Sequence, residues 1–170
     1  GDVVYVPPGV LHAIGAGVFL VELQEPEDLS ILLEWRDFEL DGPRDGHLGL
    51  GFDLALTAVE RRRRSSEEIS RLVRPAGHGR SVLPEESEAY FRLERLALDG
   101  RARTSPGFAV IVIVSGEGAV QGTPLVRGTT VVAPYAAGAL QFEGRAEILI
   151  CRPPTTGQWL RDPRVKSRSL

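Results

Sequence analysis

The residues best suited to chemistry lie near the start of the chain. His12 closes the run Val3-Val4-Tyr5-Val6-Pro7-Pro8-Gly9-Val10-Leu11-His12, which reads as strand, proline turn, then a histidine entering the next strand. Neutral imidazole is a good borderline ligand, so His12 is a candidate metal ligand, expected to draw its partners from residues not shown here. Ten residues on, Glu22 sits between Val21 and Leu23 in an apolar run. Strand alternation puts Glu22 on the same face as Leu20 and Gln24. Were that face a protein interior, desolvation would raise the carboxyl pKa toward that of a general base; were it solvent, Glu22 would be an ordinary surface residue.

Other reactive residue types have simpler explanations. His47 and His78 lie in Gly-rich stretches, with no second ligand at helical or strand spacing, and read as exposed turn residues. Cys151 follows Ile148-Leu149-Ile150 and reads as a buried, inert thiol. Arg61-Arg62-Arg63-Arg64 could bind phosphate or an acidic partner, although a basic run beside helices more commonly forms a solvated terminus. Gly116-Glu117-Gly118 reads as a tight turn between strands rather than a phosphate loop. Lys166 is the only lysine. A mechanism that needs a catalytic lysine must take it from elsewhere.

The elements that must position these groups are mostly strands. Val3–Val6, Val18–Leu23 and Ser30–Trp35 are short β-branched and aromatic runs punctuated by Pro and Gly. Asp53–Glu60 and Ser66–Val73 carry helical spacing, after a loop at Gly42–Gly46. Strands return at Tyr90–Leu98, Ala109–Val114, Ala119–Gln121, Thr129–Ala133, Ala139–Phe142 and Ala146–Ile150, a pattern of small barrels or sandwiches. The expected organisation is a barrel end over 1–40, a helical insertion over 41–80, a second barrel over 81–154 and a polar tail over 155–170. An ungapped internal comparison lays Gly1 on Gly128, Pro7 on Pro134, Gly17 on Gly144 and Leu23 on Ile150. In that register His12 meets Ala139 and Glu22 meets Leu149, so both polar residues belong to the first copy alone.

Size and composition narrow the function. With 170 residues, 42% apolar and 25% charged, the chain can bury a real core. A formal charge of -3 gives neither nucleic acid nor an anionic membrane a reason to bind. No apolar run is long enough to span a bilayer, and no secretory pattern opens the chain, so a cytoplasmic location is expected. The chain has no methionine, and its opening Gly-Asp turn leads directly into a strand. It is therefore expected to be the C-terminal part of a longer polypeptide. An incomplete first barrel would expose strand edges, so self-association as a homo-oligomer is also expected.

Gly-Asp, strand, Pro-x-Gly-x-x-His, strand resembles the second motif of the cupin barrels. Its continuation, His12-Ala13-Ile14-Gly15-Ala16-Gly17-Val18-Phe19-Leu20-Val21-Glu22-Leu23-Gln24, resembles the type I mannose-6-phosphate isomerases. The resemblance is specific over Gly1 to Trp35 and looser beyond. It implies a mainly β fold: strands of an incomplete cupin barrel, a helical insertion, and a second, metal-free cupin (jelly-roll) barrel at the C-terminus. It further implies a zinc enzyme of carbohydrate metabolism, interconverting mannose 6-phosphate and fructose 6-phosphate through an enediol. On that basis His12 would be a zinc ligand, Glu22 the proton-transfer residue, and Gln24, Asp28 and Arg36 contacts to a small sugar phosphate. The fragment alone would be inactive. The chain departs from the family pattern at Leu32, where an arginine is expected, and an alkyl group cannot replace guanidinium contacts with phosphate. That departure favours one alternative, a non-catalytic sugar-binding or regulatory cupin; a different metal-dependent cupin enzyme is a further alternative, because the fold hosts many activities.

Overall fold

A computed structural model describes residues 1–25, 29–77 and 81–154. In chain order the elements are β1 (Val3–Val4), α1 (Gly42–Asp45), α2 (Phe52–Ala55), α3 (Ser66–Arg71) and β2 (Val73–Arg74). Five longer or better-paired strands follow: β3 (Arg92–Arg103), β4 (Ala109–Val120), β5 (Thr123–Val126), β6 (Thr130–Ala133) and β7 (Gln141–Arg152). The fold is mainly β and antiparallel, as the strand pattern predicts. Contacts group the chain into two compact units, one of residues 1–5 and 67–170, the other of residues 6–66.

The first unit holds the core. β7 lies between β3 and β4, while the far edge of β4 is shared by β6 near its start and β5 near its end. One face of the sheet carries Ile111 and Ile113 of β4 and Ile148 and Ile150 of β7, each at most 1% exposed. Leu98, Phe142, Val120 and Leu125 extend this core along the strands, and Leu96 and Val131 pack against it. Leu93 and Cys151, on the opposite face, are also buried. Both faces of β7 are thus covered near its C-terminal end, which explains why Ile148-Leu149-Ile150-Cys151 reads as an unbroken apolar run. β1 and β2 form a short antiparallel ribbon, and Tyr5 beyond it packs edge-on against Phe91 with ring centroids 6.5 Å apart.

The turn expected at Ser115–Gly118 does not form: β4 runs unbroken through it. A β-bulge between Ile113 and Ser115 changes which residues face inward. Before the bulge the odd positions Ala109, Ile111 and Ile113 face the core. After it the even positions Gly116, Gly118 and Val120 do, leaving Ser115 and Glu117 on the outer face. Past the bulge the strands approach so closely that a Cβ on Gly144 would lie 2.5 Å from the Gly118 Cα and 2.7 Å from the Glu117 carbonyl oxygen. Glycine here serves strand packing. The chain reverses later, at Gln121-Gly122, where both residues have positive φ (49° and 79°).

The second unit, residues 6–66, is built differently. The strands expected over Val18–Leu23 and Ser30–Trp35 do not form. Backbone groups in a strand need a neighbour to bond, and no described strand pairs with either segment. What order exists centres on Trp35 and Phe52, whose rings stack at 5.9 Å. Gly42 is buried because the indole of Trp35 occupies the space a Cβ would need. The loop expected at Gly42–Gly46 is the short helix α1, capped by Asp41, whose Oδ1 accepts a hydrogen bond from the Arg44 N–H at 3.3 Å. The helix expected over Asp53–Glu60 is shorter, α2 followed by a 3-10 turn at Leu56–Ala58.

Candidate functional site

His12 lies on an exposed segment just after the Pro7-Pro8-Gly9 turn, where the Val10 N–H donates to the Pro7 carbonyl at 3.2 Å. Gly9 has φ 81°, a conformation glycine adopts without steric penalty, and its carbonyl accepts from the Glu60 N–H at 2.9 Å. This bond ties the turn to the segment carrying the arginine quartet. The His12 Nδ1 lies 3.0 Å from the Val10 carbonyl oxygen. An Nδ1–H donated to that carbonyl fixes the tautomer and leaves Nε2 with its lone pair available, the arrangement common to metal-bound histidines.

The remaining candidates are spread out. Glu22, Gln24 and Arg36 are exposed, and Asp28 lies outside the described residues. The Arg36 backbone N–H donates to Glu34 Oε1 at 2.8 Å, and no hydrogen bond links His12, Glu22, Gln24 and Arg36 among the described residues. Glu22 therefore lacks the desolvation that a barrel interior would provide. Leu32 is 40% exposed, with its backbone N–H bonded to the Gly46 carbonyl at 2.8 Å. No group of three His, Cys, Asp or Glu side chains is placed to hold a metal ion among the described residues. One imidazole does not make a zinc site, so the described residues alone do not fit the ion.

His47 is not the exposed turn residue expected from its glycine neighbours. It is half-buried, its Nδ1 accepts the Gly51 N–H at 3.1 Å, and its ring meets Phe52 edge-on at 5.1 Å. These bonds make it a structural residue of the second unit. His78 lies outside the described residues. In the arginine quartet, Arg62 Nε and Arg64 Nη2 converge on the Glu60 carboxylate at 2.6 and 2.5 Å. Arg61, Arg62 and Arg63 are exposed and Arg64 is half-buried.

Sequence reasoning passed over two ion pairs that organise the sheet. Arg152, 4% exposed, donates from Nε to Glu94 Oε1 at 2.7 Å and from Nη2 to the Ser105 carbonyl at 3.0 Å. Arg95 donates from Nε to Glu147 Oε1 at 2.5 Å and from Nη1 to the Gly1 carbonyl at 2.9 Å, fastening the chain start to β3. The only signal for either was a charged residue recurring inside an apolar strand.

No family model matches the chain. Among curated proteins it is 29% identical over 160 residues to mannose-6-phosphate isomerase ManA of Bacillus subtilis (strain 168), a match covering 88% of this chain and 48% of that protein. The chain thus spans about half the length of the relative it matches. Among solved structures, a candidate mannosephosphate isomerase from Archaeoglobus fulgidus gives a TM-score of 0.47 at 16% identity, covering 60% of this chain and 33% of that one. The mannose 6-phosphate isomerase of Bacillus subtilis gives 0.42 at 16% identity, covering 61% and 34%. At those scores neither structure bears on the fold. The sequence match, which covers 88% of the chain, places it among proteins similar to the type I mannose-6-phosphate isomerases.

Proposed function

We propose that the polypeptide carrying this sequence is a sugar-phosphate isomerase of the mannose 6-phosphate to fructose 6-phosphate type. The observation that carries the reading is the match to the Bacillus subtilis enzyme over 160 residues. The reaction moves a proton between C1 and C2 of the sugar through an enediol, which needs a base and stabilisation of the developing oxyanion. Glu22 is the carboxylate proposed to move that proton. Gln24, Asp28 and Arg36 are proposed to hold the sugar phosphate, by amide, carboxylate and guanidinium contacts respectively. Zinc is the proposed cofactor: His12 Nε2 would be one ligand, with the others outside the described residues, and the ion would supply Lewis-acid polarisation of the carbonyl. The His12–Val10 contact supports that role because it presents Nε2 in a fixed tautomer.

A coupled assay for fructose 6-phosphate, run on the natural polypeptide with chelator and with added zinc, tests this reading. Activity abolished by chelator and restored by zinc is expected, with His12→Ala lowering zinc content and Glu22→Gln lowering kcat by about 100-fold or more. A folded, zinc-loaded polypeptide with no turnover of mannose 6-phosphate would overturn it. Leu32 favours the second reading, a sugar-binding or regulatory cupin, which predicts saturable sugar-phosphate binding without turnover. Among the described residues no helix is long and apolar enough to cross a membrane.

A further inference from the structure

Beyond the bulge in β4, the outer face of the main sheet carries three consecutive cross-strand rows. The first joins Asp99, Arg145 and Glu117; the second Arg101, Glu143 and Ala119; the third Arg103 and Gln141, with Gln121 in the turn just after β4. Charge is balanced unevenly along them. Arg145 donates from Nε and Nη2 to Asp99 Oδ1 at 3.2 and 3.1 Å, a closed pair. Arg101 stands 3.8 Å from Glu143, beyond hydrogen-bond reach, and is 88% exposed. Arg103 faces a neutral glutamine across the strand and has no carboxylate partner among the described residues. Two guanidinium groups therefore share one carboxylate at this end of the sheet.

The same residues line an open depression of about 780 Å³ together with Gln121 and Gln141. The Gln121 Oε1 accepts the Gln141 backbone N–H at 3.2 Å, while the Gln121 N–H donates to the Gln141 carbonyl at 2.9 Å. Those bonds occupy the amide oxygen of Gln121 and orient its NH2 group as a donor. Alternate residues on one strand lie about 7 Å apart, a spacing at which two guanidinium groups can bracket one tetrahedral anion. We propose that Arg101, Arg103 and the Gln121 amide form an anion site for a phosphate monoester, in the second half of the chain and separate from His12 and Glu22. The site does not depend on the isomerase reading, because none of its residues serves that reaction. Among the described residues that line it, Glu143 is the one carboxylate and opposes binding.

The test is a titration of the 15N-labelled chain with inorganic phosphate, mannose 6-phosphate and unphosphorylated mannose at constant ionic strength. The amides of Arg103, Gln121, Gly122 and Gln141 are followed, with those of the exposed Arg44 and Arg71 as controls. Saturable shifts confined to the first group are expected with both phosphates and absent with mannose. Arg103→Gln weakens binding about tenfold, and Glu143→Gln tightens it. Both side chains are exposed enough for the variants to fold, which thermal unfolding verifies. Unsaturable shifts, equal shifts at the control arginines, equal binding of mannose, or an Arg103→Gln chain that titrates unchanged would each overturn the proposal.

Discussion

Arg152 and Cys151 adjoin in sequence at the buried end of β7, and each shows what burial does to a polar atom. Arg152 is almost fully enclosed with its charge satisfied by Glu94 and two carbonyls. Removing one partner leaves the other charge buried and unpaired, so Glu94→Ala should cost about 3 kcal/mol in urea unfolding. Replacing both Glu94 and Arg152 by apolar residues of similar volume should cost less than either single deletion, and the double-mutant cycle measures that coupling. Burial pushes the Cys151 thiol pKa up. The unfolded chain then ionises first as pH rises, so this thiol's contribution is intact below the ordinary thiol range. It is lost as pH climbs from there through the raised native value. Folded chain should react with a thiol reagent at least about 100-fold more slowly than chain unfolded in urea. Rapid labelling under native conditions would contradict the placement of Cys151 in the core.

Glycines decide the path of the long strands. Gly100, Gly144 and Gly118 form one row across β3, β7 and β4 on the core face, but they serve different ends. Gly144, at φ 124°, has Gly118 against it with no room for a Cβ, whereas Gly100, at φ 92°, has open space around the same position. Gly100→Ala therefore carries only backbone strain, about 1–2 kcal/mol. Gly144→Ala adds a clash with the backbone of β4 and should cost clearly more, or prevent folding. Equal losses of stability from the two substitutions, measured by thermal unfolding, would show that the strands do not meet as described. The row was hidden in the sequence because glycine at a close strand approach and glycine in a turn look alike. The pattern places a turn at Gly116-Glu117-Gly118 and a strand end at Gln121, whereas the chain reverses at Gln121-Gly122.

At the scale of the molecule, the two segments that the internal comparison aligns have different outcomes. The strand-proline beginning recurs, with Val3–Val4 before Pro7 and Thr130–Ala133 before Pro134. The following segments diverge: residues 145–150 are the centre of β7, held by β3 and β4, whereas 18–23 pair with no described strand, and Phe19 is 75% exposed. Amides of 18–23 should exchange within seconds in hydrogen–deuterium exchange, while those of 111–113 and 148–150 persist longest. Protection of 18–23 at high chain concentration, lost on dilution, would instead reveal strand pairing between copies. Period-two patterning in β3, β4 and β7, the apolar run at Ile148–Cys151 and the Pro-x-Gly-x-x-His segment were legible in the sequence. They are local properties, set by side-chain type and backbone geometry. Whether Val18–Leu23 becomes a strand, which face of β4 is inside past Val114, and which carboxylate meets Arg152 were not legible. Each depends on a partner far along the chain, because a strand's backbone bonds, a bulge's register and a buried charge are all satisfied across space. The sequence alone thus determined the mainly β class and the candidate ligand His12; tertiary contacts decided which of its strands could exist.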